Sequence, residues 1–458
     1  MLGRTKKIHF VGIGGIGMSG IAELLLNQGF KVSGSDLTLS KITQHLSKKG
    51  AVISQGHDPA TVKDADVVVK SSAVDDSNPE ITYALSQKIP VIRRAEMLSE
   101  IMRMSYGIGI AGTHGKTSTT SMVGSVLSAA QLDPTVIVGG IVKNYGSNNL
   151  LGSGKYIVVE ADEFDRSFLT LSPIIAGITN IEADHLDCYS DLKGVKDAFI
   201  EYSNKVPFFG SVIACLDDHG VQSIIPDIKK DILTYGFSQQ ANIQAADVVL
   251  NNFKASYTAL HNGKQLGRID LNVPGTHNIL NSLLAIGTGL ELDIPFEAIK
   301  KGLKKYNGVF RRFEFKGIIK KVKVYDDYAH HPTEIEATLK GIRDSVDNRI
   351  VAVFQPHLYS RTQDFYQEFG RCFFQSDVLI ITPIYPAREK AIPGVTGKLI
   401  SDAAIQSGHN NVCYIEKNET IVENLNKLTK PGDILITMGA GNIYKFGELF
   451  LNEENKID

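Results

Sequence analysis

The chain has 458 residues, with 48 Lys and Arg against 50 Asp and Glu and a formal net charge of −2. That balance excludes a nucleic-acid binder working through a broad basic face, and 43% hydrophobic residues exclude a chain disordered throughout. At roughly 150 residues per domain the length suggests about three domains, and no run of about 18 apolar residues is present to span a membrane.

The first segment opens with Lys7-Ile-His-Phe-Val11, a short strand that runs into Gly12-Ile-Gly-Gly-Ile-Gly17. Helix patterning follows over 18–28, then a strand over 31–35 that ends at Asp36, and further strand-like runs over 65–70 and 90–92. This β–α–β series predicts a Rossmann-type parallel sheet over residues 1–105. The glycines let a pyrophosphate approach the backbone. With Asp36 they also match a dinucleotide fingerprint, so by itself the loop leaves NAD and a nucleotide sugar both open.

The second segment, 106–309, restarts with a strand over 106–111 that enters Gly112-Thr113-His114-Gly115-Lys116-Thr117 and a small-residue helix over 118–130. Near-continuous apolar strands over 156–160, 174–179 and 212–216 suit a sheet covered on both faces. From 241 to 273 the pattern turns to short alternating strands with turns such as His261-Asn262-Gly263, a small antiparallel sheet, and helix patterning returns over 278–290. The third segment, 310–458, opens at Arg311-Arg312-Phe313. Its strands over 349–354, 378–382, 412–415 and 433–438 are separated by helical stretches such as 362–375 and 421–428, again an alternating α/β layout. The four cysteines, Cys188, Cys215, Cys372 and Cys413, form no Cys-x-x-Cys pair, and no signal-peptide pattern opens the chain. The expectation is a cytoplasmic protein with reduced, mostly buried thiols. Nothing in the sequence specifies an oligomeric state.

Gly112-Thr-His-Gly-Lys-Thr117 carries the clearest chemistry. Inward-turned backbone N–H groups and a helix N-terminus cradle phosphate. Lys116 would reach the β/γ-phosphates and Thr117 could ligate Mg²⁺. The strict Walker pattern fails at Ile110, where it needs glycine. A metal needs carboxylates, and two acidic clusters follow apolar strands: Glu160-Ala161-Asp162-Glu163, and Asn180-Ile-Glu182-Ala-Asp184-His185-Leu-Asp187.

Together these motifs resemble the Mur ligase family of cell-wall synthesis enzymes. Pro274-Gly-Thr-His-Asn278-Ile-Leu-Asn281, Arg311-Arg312-Phe313, Asp326-Asp327-Tyr328-Ala329-His330-His331-Pro332-Thr-Glu334 and Phe354-Gln355-Pro356-His357-Leu-Tyr-Ser-Arg361-Thr362 extend the resemblance to the C-terminus. The last two resemble the signatures of the member that joins L-alanine to UDP-N-acetylmuramate. The resemblance implies three α/β domains: an N-terminal UDP-binding domain, a central ATPase-like domain and a Rossmann-like C-terminal domain. It implies ATP as co-substrate, one or two Mg²⁺ ions, and an acyl phosphate attacked by the alanine amine. It assigns UDP-sugar contacts to Gly12, Gly14, Gly15, Ile16, Gly17, Met18, Ser35, Asp36, Ser71 and Ser72. ATP contacts fall to residues 112–118 (Gly112, Thr113, His114, Gly115, Lys116, Thr117 and Ser118), with Asn278, Asn281, Arg312 and Asp327. Metal ligation falls to Thr117, Glu160 and His185, and alanine to Tyr328, His330 and Arg361.

In that scheme Lys116 stabilises charge on the transferred phosphoryl group, and His330, His331 or a substrate or phosphate oxygen is a candidate to accept the amine's proton. Arg361 would hold the alanine carboxylate by a paired guanidinium contact. Two positions depart from the family pattern: Leu358 stands where Arg is frequent, and Phe164 and Arg166 interrupt a usually small, polar stretch. Three rival readings remain: the ligase that reattaches recycled murein tripeptide, an NAD-dependent oxidoreductase, and a non-catalytic nucleotide sensor. Neither a nucleic acid nor a membrane is expected as a partner.

Overall fold

The structure, a computed structural model, describes residues 4–164, 166–183, 188–189, 191–387 and 389–452, leaving aside the side chain of Ile16. It divides into two compact units. One comprises Met1–Ala246, Thr258–Arg268 and Leu280–Tyr306; the other comprises Asp247–Tyr257, Ile269–Ile279 and Asn307–Asp458.

In the first unit, strands β1 (Lys7–Val11), β2 (Lys31–Asp36), β3 (Val52–Gln55), β4 (Val67–Lys70) and β5 (Val91–Arg93) form a sheet in the order β3-β2-β1-β4-β5. All four pairings are parallel, as the β–α–β series predicts. β3 has no counterpart in the sequence reading: it is an edge strand of four residues, exposed at both ends and half-buried between, with no long apolar run to announce it. The helix Ile16–Asn27 starts two residues earlier than its periodicity suggests, directly on the glycine loop.

The central sheet of ten strands uses β6 (Tyr106–Ala111), β7 (Thr135–Val142), β8 (Ser147–Leu150), β9 (Tyr156–Glu160), β10 (Ile175–Ile178), β11 (Ser211–Cys215), β12 (Asp231–Gly236), β13 (Ile243–Asn251), β14 (Lys254–His261) and β15 (Lys264–Leu271). Its order is β15-β14-β13-β12-β11-β10-β6-β9-β7-β8. The alternating segment does form three strands, and they continue this sheet through the parallel pairing of β12 with β13. Alternation reports a half-covered face and is silent on which sheet a strand joins. β6 lies between β10 and β9, with Ala111 opposite Ile178 and Ile110 opposite Glu160. Three neighbouring strand ends thus open on one place, the usual position for a ligand in such a sheet. Phe10, Ile157, Phe199 and Val212 belong to one continuous apolar core.

The second unit holds β16 (Glu314–Ile319), β17 (Val322–Asp327), β18 (Ile350–Phe354), β19 (Val378–Ile381), β20 (Val412–Tyr414) and β21 (Ile434–Met438), ordered β16-β17-β21-β18-β19-β20. Only β16 runs antiparallel to its neighbour. Asp327 and Phe354 both lie opposite Met438, so the two motif-bearing strands end side by side. The helix Tyr359–Arg371 begins three residues before the expected 362, which puts Arg361 in its first turn.

Cys215 and Cys372 are buried, Cys413 is half-buried and Cys188 is exposed, all as free thiols, so fewer are buried than expected. Among the described residues no helix is long and apolar enough to cross a membrane.

Candidate functional site

The first glycine loop is shaped from beneath. The carbonyl of Ser35 accepts the N–H groups of Gly12 and Ile13 at 2.9 and 3.0 Å. The Asp36 carboxylate accepts those of Gly14 and Thr38 at 2.8 and 3.2 Å. Both Asp36 oxygens therefore hold backbone, which gives the residue a structural task in shaping the loop. The Ser35 hydroxyl, fully buried, donates to Glu80 at 2.5 Å, so the side chain expected beside the nucleotide sugar faces the interior. Glu80 also accepts from Thr61 and lies 3.5 Å from His9. Burial opposes its ionisation, but His9, Ser35 and Thr61 outweigh that and bring its pKa down to about 2.

Met18 is buried in the core, and Gly15 is exposed. Gly12 lies against Ser71: a methyl built on it would come within 3.1 Å of the Ser71 Cβ, and its φ of +83° suits glycine. Ser72 is exposed on the same loop. Arg94, which the sequence reading passes over, lies against Gly17. The only signal for it is its place at the end of β5, where Arg93 and Arg94 together open a helix.

The phosphate loop forms as its sequence predicts. Gly112 and Gly115 adopt φ of +141° and +82°. A methyl on Gly112 would collide with the Thr179 hydroxyl at 1.9 Å, and one on Gly115 would press on Asn281 at 2.8 Å. The loop is tied to the end of β10: Thr113 donates its N–H to the Asn180 carbonyl at 3.0 Å, and His114 donates to the Asn180 side chain at 2.7 Å. Thr117 donates to Glu160 at 2.9 Å, so two of the expected metal-binding oxygens meet. Glu160 also accepts the N–H of Gly139 at 2.6 Å. Ser118 is half-exposed in the first turn of the helix. His185 lies outside the described residues.

Lys116 is not extended toward solvent. Its Nζ donates to both oxygens of Glu163 at 2.9 and 2.7 Å and to the carbonyls of Gly112 and Thr113 at 2.7 and 3.2 Å. Burial works against its charge, but the carboxylates of Glu163 and Asp162 outweigh it and hold the pKa above the usual lysine value. Glu163, which the sequence gives only as one acid among several, is thus the side-chain partner of Lys116. Arg166 lies over the Tyr189 ring at 5.6 Å.

The second unit gathers the C-terminal motifs. Asp327 is buried and accepts N–H groups from Phe313 and Ala329, both at 2.7 Å. It braces two segments. Burial pushes its pKa up to about 6, against the pull of Arg312. Arg312 pairs with Glu334 at 3.2 Å and lies over the Tyr328 ring. Asn278 is held by the Pro274 carbonyl at 2.7 Å.

The His330 Nδ1 lies 3.0 Å from the Tyr328 carbonyl, which can only accept. Nδ1 therefore carries the proton and Nε2 keeps its lone pair. Burial pushes the His330 pKa down to about 3 despite Glu334, with Arg361 adding to the effect. Burial and Arg361 likewise bring His357 down to about 4. The rings of His330 and His357 are 5.9 Å apart. Tyr328, His330, His357 and Arg361 thus form one cluster: a cation beside two neutral imidazoles.

Comparison with known proteins places this geometry. The profile for the Mur ligase family, catalytic domain, matches residues 7–106, that for the Mur ligase middle domain matches 110–289, and that for the Mur ligase, glutamate ligase domain, matches 311–441. A UDP-N-acetylmuramate–L-alanine ligase of Geobacter sp. (strain M21) is 52% identical over 98% of both chains. One of Desulfatibacillum aliphaticivorans is 52% identical over 98% of this chain and 99% of its own. Among solved structures, the UDP-N-acetylmuramate–alanine ligase of Thermotoga maritima superposes with a TM-score of 0.79 at 29% identity, covering 99% of this chain and all of its own. A murein peptide ligase of Psychrobacter arcticus reaches 0.69 at 23% over 99% of both chains, a likeness of fold.

Proposed function

The chain belongs to the Mur ligase family, and from that premise we propose that it joins L-alanine to the lactyl carboxylate of UDP-N-acetylmuramate at the expense of ATP, in peptidoglycan precursor synthesis. The observation that carries the reading is the phosphate loop with Lys116 and Glu160 at adjoining strand ends. The Arg361–His330–His357 cluster of the second unit supports a small amino acid as acceptor.

The lactyl carboxylate attacks the γ-phosphorus and ADP leaves, giving an acyl phosphate. The amine then attacks the acyl carbon and phosphate departs. Two anions meet in the first step. Lys116 exchanges Glu163 for phosphate oxygens and concentrates positive charge where it develops. Thr117 and Glu160 offer hard oxygen donors that fit Mg²⁺ and would hold it, with His185 as a further candidate ligand. Bound there, Mg²⁺ supplies charge neutralisation between the phosphate oxygens. Arg361 holds the alanine carboxylate, and Tyr328 walls the pocket. His330, with a pKa near 3, is too weak a base to keep the amine's proton. It accepts a hydrogen bond at Nε2 and orients the amine, and the proton passes to the departing phosphate.

Gly12, Gly14, Gly15 and Gly17, with Ser71, Ser72 and Arg94, are assigned to the UDP-sugar. Residues 1–105 form the UDP-sugar domain, 106–309 the ATP domain and 310–458 the amino-acid domain. ATP and a nucleotide sugar as substrates place the reaction in the cytoplasm. Phosphate release from ATP tests the reading, measured with UDP-N-acetylmuramate and with or without L-alanine, beside a murein-tripeptide arm. Release that needs both UDP-N-acetylmuramate and alanine is expected. Release with tripeptide alone would contradict the alanine reading.

A further inference from the structure

Arg361 lies in the first turn of a helix that has no cap of its own. The N-cap residue of Tyr359–Arg371 is Leu358, which has no side-chain oxygen to accept the first free N–H groups. Its backbone is at φ +71°, ψ 140°, a region that strains a non-glycine residue. Such a turn keeps its shape only if its surroundings hold it there.

A segment some thirty residues further on does so. The Glu389 Oε2 accepts the N–H groups of Tyr359 and Ser360 at 2.6 and 3.1 Å, and its Oε1 accepts the Ser360 hydroxyl at 2.5 Å. A carboxylate at this end also opposes the helix dipole favourably. The Tyr385 carbonyl accepts the N–H of Leu358 at 3.0 Å, and the Tyr385 N–H donates to the Pro356 carbonyl at 2.8 Å. The Tyr385 ring stacks on His357, 5.8 Å between centroids and 13° between planes. Burial disfavours the Glu389 charge, but the Ser360 and Tyr359 donors outweigh it and keep its pKa below the ordinary glutamate value. The clamp is therefore ionised at neutral pH. Helix start, strained turn and histidine are all fixed from one side by Tyr385 and Glu389.

We propose that Glu389 is a positioning residue for the amino-acid substrate: it caps the helix that carries Arg361, so that Arg361 and His357 meet the alanine preorganised, without touching the substrate itself. The inference rests on the alanine-ligase reading above. It accounts for how a chain with Leu358 in place of a second arginine holds Arg361 in register.

The test compares wild type, Glu389→Ala and Glu389→Gln in the full chain. The expected result is a KM for L-alanine raised about tenfold in Glu389→Ala, the scale of one lost cap and its strain release. Glu389→Gln, which keeps an acceptor without the charge, should fall between. The KM values for ATP and UDP-N-acetylmuramate should not move. Propionate, which has the carboxylate but no ammonium, serves as a competitor, and its inhibition constant should rise in step with the alanine KM. An unchanged alanine KM overturns the proposal, as does a parallel rise of all three KM values. Unweakened propionate inhibition beside a raised alanine KM also overturns it, because Glu389 would then hold the ammonium directly. Absence of alanine-dependent turnover in the wild type would instead overturn the ligase reading and is seen before any variant is made.

Discussion

In the proposed reading the phosphate loop and the amino-acid pocket solve the same problem, holding an anion, by opposite means. The loop is built from consecutive residues. Its strained positions, Gly112 and Gly115 at φ +141° and +82°, carry the residue type that strain calls for, and its donors are largely backbone. The proposed pocket is built from side chains of residues 328–334 and 357–361, with Tyr385 and Glu389 behind them. Its strained position carries leucine, and its helix cap arrives from Glu389. A site made of backbone is stable wherever its sequence occurs. A site made of borrowed contacts depends on distant residues, and its parts should fail separately.

The sharpest contrast comes from removing each cation. Lys116→Ala should stay folded and lose about 10²–10³-fold in kcat, the usual scale for one electrostatic contact to a developing charge. A variant that keeps more than a tenth of wild-type turnover would sink the assignment. Arg361→Ala should raise the KM for alanine by roughly 10–100-fold, the worth of one charge-assisted contact, and spare the KM for ATP. An ATP effect of equal size would erase the division between the two regions.

Acid should weaken the second unit. His277, His330 and His357 have pKa values lowered by burial to about 4, 3 and 4. The unfolded chain, with histidine near 6.5, binds more protons through that window, so stability falls as pH drops from about 6.5 toward 4. Asp327, raised to about 6, pulls the other way over part of the range and softens the slope. Thermal melts at pH 7 and pH 5 read this, with a lower Tm expected at pH 5. A flat profile would mean that the imidazoles are not buried as described.

The smallest effect expected is a gain. Glu163 occupies Lys116 through both of its oxygens. Glu163→Gln should therefore tighten ATP binding about threefold to tenfold, less than a full charged hydrogen bond is worth. Calorimetric titration would show it. Looser binding would mean that Glu163 serves the nucleotide directly.

The sequence made legible whatever is consecutive. The parallel first sheet, the phosphate loop and the meeting of Thr117 with Glu160 follow from short runs with a known backbone consequence. Edge strand β3 and the start of the Tyr359 helix did not show, because one lacks an apolar run and the other lacks a local cap. Ser35 and Asp36 stand where nucleotide ligands would stand, yet the Ser35 hydroxyl points to Glu80 and both Asp36 oxygens hold backbone. Position along the chain gives proximity to a site. The direction of a side chain depends on what else is buried beside it. Arg94 and Glu389 escape the sequence reading for the same reason: each meets a partner at least 29 residues away, and neither belongs to a motif. Glu163 shows in the sequence only as one acid of its cluster, because its pairing with Lys116 spans 47 residues.

The division between the two regions is tested most directly by trapping the acyl phosphate with hydroxylamine, using ATP and UDP-N-acetylmuramate without alanine, in wild type, Lys116→Ala and Arg361→Ala. The account predicts hydroxamate from wild type and from Arg361→Ala at comparable rates, and almost none from Lys116→Ala. Loss of hydroxamate in Arg361→Ala as complete as in Lys116→Ala would contradict it, as would full retention in Lys116→Ala.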